Sequence, residues 1–162
     1  MPKKISLHEK LMTAAYEKYG AKDTETKFVA KLPLLERYAV VLGNLNYQVE
    51  NGGFAQWIDN RYVNNKDVLF EALKALNTVT AKLVSTLVTE VLALHAKLSR
   101  RPADDDGLSY ESHDKHYYML QAQLLKDTET YLQAAQKNVQ KDVVKKAYAR
   151  AKATNCPKSW SA

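Results

Sequence analysis

Two adjacent glycines constrain this fold more than any other feature of the chain. They lie in the run Gln48-Val49-Glu50-Asn51-Gly52-Gly53-Phe54-Ala55-Gln56-Trp57-Ile58-Asp59-Asn60. Before them, Leu34, Leu35, Tyr38, Val41, Leu42, Leu45 and Val49 recur in steps of three and four, the spacing of one apolar helix face. The pattern stops at Asn51-Gly52-Gly53, where both residue types accept φ > 0 and can end a helix. Phe54, Trp57 and Ile58 then restart an i, i+3, i+4 set. The expected geometry is a long helix, a tight glycine corner and a short helix that drives Phe54 and Trp57 into the core. Polar groups freed at such a corner need partners. Glu50 is expected to be buried or half-buried there, accepting hydrogen bonds from free N–H groups, and Gln56 and Asn60 are given the same structural role.

The rest of the chain reads as helices. Ser6-Leu7-His8-Glu9 has the form of a capping box and opens a helix through Leu7, Leu11, Ala14 and Ala15, with Gly20 as its stop. Residues 21–32 read as a loop or a short helical piece. Pro33 suits the first turn of the long helix. Asn65 is the expected cap of a helix carrying Val68, Leu69, Ala72, Leu73 and Leu76. Asn77 or Thr78 separates it from a helix over 79–98, with Leu83, Leu87, Val91 and Leu94 inward. A strand of about 20 residues would be too long. Arg100-Arg101-Pro102-Ala103-Asp104-Asp105-Asp106-Gly107-Leu108 is a loop. A long helix starts at Ser112 and runs through Tyr117, Leu120, Leu124, Tyr131 and Leu132. A separate last helix, about 138–153, places Val139, Val143, Val144, Ala147 and Ala151 on one side and its lysines on the other.

These elements define an all-α fold, a single-domain bundle of about six or seven helices. Residues 1–162 form one domain, with a core over about 5–153 and a short tail at 154–162. Its 162 residues, 46% apolar and 26% charged, are enough to bury a substantial core.

The run Glu50-Asn51-Gly52-Gly53-Phe54-Ala55-Gln56-Trp57, with Asn60 after it and Ala72-Leu73-Lys74-Ala75-Leu76 downstream, resembles the DMP19-like family. Its members are small all-helical bacterial and phage-associated proteins with an E-x-N-G-G-F-x-Q-aromatic signature. The likeness covers about 34–131. It implies an all-helical fold, a protein-binding role and a homodimer. The family's namesake is a DNA mimic that binds a DNA-binding protein through an acidic surface.

Charge bears on that inheritance. The net charge is +6. Of 24 basic and 18 acidic residues, seven and one lie in 137–162, which leaves 17 of each in the remaining body. Mimicry needs an excess of carboxylates, and only Asp104, Asp105 and Asp106, with Glu111 and Asp114, make a local acidic patch. That patch, with Tyr117 and Tyr118, is the candidate partner-binding surface. Adjacent helix positions cannot share one core line, so one of the two tyrosines is expected to be exposed. The basic segment, with Lys137, Lys141, Lys145, Lys146, Arg150 and Lys152, is the candidate surface for an acidic partner or for nucleic acid.

No nucleotide-binding, metalloprotease, redox or serine-hydrolase motif occurs, so no catalytic residue, cofactor or metal is assigned. His113 and His116 share a helix face, but Lys115 intrudes and a solvated helix start explains them better than a metal. His95 reads as an edge histidine. The N-terminus lacks an apolar secretory core, and no window is expected to span a membrane. The single cysteine, Cys156, fits a reducing cytoplasm. The expected function is therefore a non-enzymatic protein-binding regulator or inhibitor, a phage or bacterial factor acting on a DNA-binding or defence protein. The alternative is nucleic-acid binding by the basic last helix.

Overall fold

The computed structural model describes residues 5–19, 25–100 and 109–154. Gly20, Asp104, Asp105, Asp106, Cys156 and the tail lie outside them. The described residues hold helices and no strand: α1 (Leu7–Tyr19), α2 (Glu25–Lys31), α3 (Leu34–Asp59), a 3-10 turn (Tyr62–Asn65), α4 (Lys66–Leu76), α5 (Val79–Leu98) and α6 (Glu111–Thr154). The fold is all-α, as expected.

The centre is α3. Its run 38–45 is buried on every side, with α1, α4 and α6 packed around it. Close approach of α1 to α3 depends on Gly43, where a side chain would strike the Met12 thioether. The start of α1 is capped twice. Ser6 and Glu9 close the expected capping box, with the Ser6 N–H donating to Glu9 Oε2 at 2.9 Å and the Glu9 N–H to Ser6 Oγ at 3.1 Å. From across the bundle, the Glu129 carboxylate of α6 accepts the N–H groups of Leu7 and His8, both at 2.9 Å. At the far end of α2, Arg37 donates to the carbonyls of Ala30 and Leu32 at 3.3 and 2.9 Å. Lone helix-end carbonyls are thereby satisfied.

Several expectations are corrected. Asn65 precedes α4, but its side chain makes no capping bond; it ends the 3-10 turn that delivers the chain into α4. Thr78 does cap α5, its side chain accepting the Ala81 N–H at 3.1 Å. The buried face of α5 is Ala81, Val84, Leu87, Val88 and Val91, so Leu83 faces solvent instead of the core. By length and composition α5 is also long and apolar enough to cross a membrane, because an 18-residue window holds at most two charged side chains. In this fold it packs against α4 and α6.

The largest correction concerns the C-terminal part. No separate helix begins near 138. One helix of 44 residues, α6, runs from Glu111 to Thr154. Gln133-Ala134-Ala135-Gln136-Lys137 contains strong helix formers and no glycine or proline. The apolar stripe also stays in step across it, from Leu132 and Ala135 to Val139 and Val143.

Candidate functional site

At the glycine corner, helical backbone is interrupted at two residues: Gly52 (φ −162°, ψ 19°) and Gly53 (φ 71°, ψ −173°). Gly52 has an extended φ open to any residue. Gly53 occupies a region that essentially only glycine enters. Space there is closed as well, since a Cβ on Gly53 would overlap the Asp114 carboxylate of α6.

That carboxylate takes the role expected of Glu50. The Phe54 N–H, which opens the short segment after the corner, donates to Asp114 Oδ1 at 2.7 Å. An anion at a helix start is favoured by hydrogen bonding and by the helix dipole. Glu50 itself is exposed. The helical spacing after Leu45 turns its side chain away from the core, and the N–H that needs an acceptor faces α6. One turn further along α6, the Tyr118 hydroxyl donates to the Val49 carbonyl at 2.9 Å. In an unbroken helix that carbonyl would accept from the residue 53 N–H. Asp114 and Tyr118 thus brace the two sides of the break.

Side chains complete the joint. Gln48, buried, accepts through Oε1 from Gln56 Nε2 at 2.9 Å and from Asn60 Nδ2 at 2.8 Å, tying the segment before the corner to the one after it. Asn51 Nδ2 donates back to the Tyr47 carbonyl at 2.6 Å. Phe54 meets Trp57 edge-on at 6.3 Å and Tyr117 edge-on at 5.8 Å, and all three rings are buried. The Tyr117 hydroxyl donates to Asn46 Oδ1 at 3.3 Å. Burial, with the nearby Glu50 charge adding to it, pushes that hydroxyl far above the ordinary tyrosine range, so it stays protonated.

The structure therefore merges two sets of residues that the sequence kept apart. Asp114, Tyr117 and Tyr118, expected on a partner-binding surface, pack against Gly53, Phe54 and Val49. Tyr117 is inside the protein; Tyr118 keeps an exposed ring while its hydroxyl is engaged. Glu111 pairs with Lys115 at 2.7 Å, which holds its carboxyl below the usual range. Gln48, Asn46 and Glu129 were not singled out from the sequence. Gln48 carries no spacing signal: it stands eight residues before Gln56 and twelve before Asn60, about 2.2 and 3.3 helical turns, and the break at Gly52-Gly53 interrupts the count.

No three of His, Cys, Asp or Glu come together as metal ligands among the described residues. His113 Nε2 lies 3.9 Å from Glu90 Oε2. His116 lines an open groove of about 320 Å³ between α5 and α6, with Leu83, Leu87, Glu90, Met119 and Leu120. The groove is mostly apolar and carries no constellation for chemistry.

The basic candidates lie elsewhere. Every residue of 137–152 is exposed, so the last part of α6 projects beyond the bundle. Lys137, Lys141, Lys145, Lys146, Arg150 and Lys152 all lie on this projection.

A braced glycine corner inside a helical bundle, with one helix continuing into solvent, defines a small all-α protein of the E-x-N-G-G-F-x-Q type. The chain belongs to the DMP19-like family, whose model, described as DMP19-like protein, matches residues 30–152. The match extends beyond the 34–131 suggested by the motifs and includes the projecting part of α6. No curated protein and no solved structure matches the chain. Family membership is compatible with a protein-binding regulator.

Proposed function

We propose that this protein is a non-enzymatic, protein-binding regulator or inhibitor, a bacterial or phage factor that acts in the cytoplasm on a DNA-binding or defence protein. One observation carries the reading: the projecting end of α6 keeps apolar side chains in water. Val139, Val143, Val144 and Tyr148 are 53%, 60%, 67% and 74% exposed. A helix gains most of its stability by burying an apolar face, and this stretch has none buried within the chain. A binding partner that covers it supplies the missing contact. The groove beside Met119 and Leu83 adds a second apolar surface on the body.

Nucleic-acid binding is the second reading, favoured by the six cations against one acid, Asp142, in 137–152. A tagged pull-down of the full chain from a bacterial host, with nuclease treatment and mass spectrometry, separates the two. An enriched protein that survives the nuclease is expected. Recovery of nucleic acid with no enriched protein would overturn the protein-binding reading.

A further inference from the structure

The projecting part of α6 carries a pattern that specifies the chemistry of its partner. With about 100° per residue, Val139, Val143, Ala147 and Val144 occupy an arc of about 140°. Lys146 lies at one edge of this arc, with Asp142 beyond it, while Arg150 and Gln140 fall within the arc. Lys137 and Lys141 lie at the other edge, with Lys145 and Lys152 behind them. The segment is thus a narrow apolar strip with cations along both borders, and all of it is exposed.

Four kinds of surface could cover such a strip, and they fit unequally. A second copy pairing strip to strip would bring like charges together along both borders, with six cations and one acid on each side. Nucleic acid would neutralise the cations, and Tyr148, between Lys137 and Lys141 on the helix surface, gives it one ring for stacking, but Val139, Val143 and Val144 would stay in water. Helices that lie in a membrane interface bury tryptophan, phenylalanine or leucine, and residues 137–152 hold none of the three. A protein groove with an apolar floor and carboxylates on both rims satisfies the strip and both borders at once. The small side chains also let the helix lie close to such a floor.

We infer that α6 docks, through Val139, Val143 and Val144, into an apolar groove or against an apolar helix face of a partner protein whose flanks are acidic. This deepens the proposed function and rests on it. The test uses the full chain and a fluorescent synthetic helical peptide with leucines at i, i+3, i+4 and i+7 and glutamates at the flanking positions. Control probes are the same peptide with serine for leucine, a DNA duplex, and vesicles of phosphatidylcholine and phosphatidylserine. Two variants are compared: V139Q/V143Q/V144Q and K141E/K146E/R150E. Far-UV circular dichroism checks that both keep their helix content. The leucine–glutamate peptide is expected to bind best, and each variant to weaken it by about tenfold or more. The assignment is overturned if that peptide binds no better than its serine version, if the valine variant binds it unchanged, or if the duplex or the vesicles bind more tightly. The pull-down is repeated with both variants. A partner captured equally well by both leaves protein binding standing and removes this assignment, whereas a native chain that captures only nucleic acid removes both.

Discussion

Gly53 sits where backbone and packing make the same demand. Its φ of 71° combined with a ψ of −173° is a conformation that side chains rarely adopt, and the Asp114 carboxylate fills the place a Cβ would take. Gly53→Ala should cost about 2–4 kcal/mol, from backbone strain and a displaced carboxylate. For a chain of this size that is a drop of roughly 5–15 °C in Tm, read by thermal unfolding. Asp114→Ala should cost about 1–2 kcal/mol in urea unfolding, because the Phe54 N–H loses its acceptor. Asp114→Asn keeps an acceptor oxygen and should recover at least half of that. If the alanine and asparagine variants proved equally destabilised, the N–H contact would not be the source of the loss. The glycines, Phe54 and Trp57 were legible because few residues take φ > 0 and because the apolar spacing resumes after the break. The acid was not: Glu50 is next to the corner in sequence, whereas Asp114 reaches it from 60 residues away, a separation no local pattern encodes.

Among the elements, α1 and α6 are joined by an ionisable contact that makes stability depend on pH. His8 is buried and its Nε2–H donates to the Ala39 carbonyl at 2.7 Å. Burial holds its pKa below the ordinary 6.5, against weaker opposing effects of the Ala39 carbonyl, Glu129 and Glu9. Protonation is then easier in the unfolded chain, so the His8 contribution is complete above pH 6.5 and falls as the pH drops below it. Glu129 is pushed up by burial, but the N–H groups of His8 and Leu7 outweigh this and bring it below 4.5. Its contribution is complete above pH 4.5 and declines below that. Urea midpoints should therefore fall in two stages on acidification. His8→Gln should flatten the upper stage and Glu129→Gln the lower one; a profile unchanged by either substitution would remove these groups as its cause. Helix content and most boundaries could be read from periodicity, including α5 residue for residue. The continuity of α6 could not, because a change from leucine and tyrosine to valine and lysine looks like the start of another helix although the stripe never leaves its register.

At the level of the whole molecule, the 44-residue α6 sets the longest dimension. At 1.5 Å per residue it is about 66 Å long. A compact chain of this length would have a radius of gyration of about 15 Å. Small-angle scattering should give a larger radius and a maximum dimension of at least about 66 Å. Brief trypsin treatment should cut first at Lys141, Lys145 and Lys146, since backbone that no packing protects opens most readily. A profile fitting a compact sphere would mean that the end of α6 folds back in solution.

One rod spans both the corner joint and the valine strip, so the angular bearing of the strip is set by counting residues. One extra amino acid between Leu132 and Lys137 would rotate everything downstream by about 100° about the rod axis, leaving both ends chemically intact. Seven would return it to within about 20° while moving it some 10 Å outward. The aim of the handle is thus written into chain length, and a deletion far from any contact could disarm it.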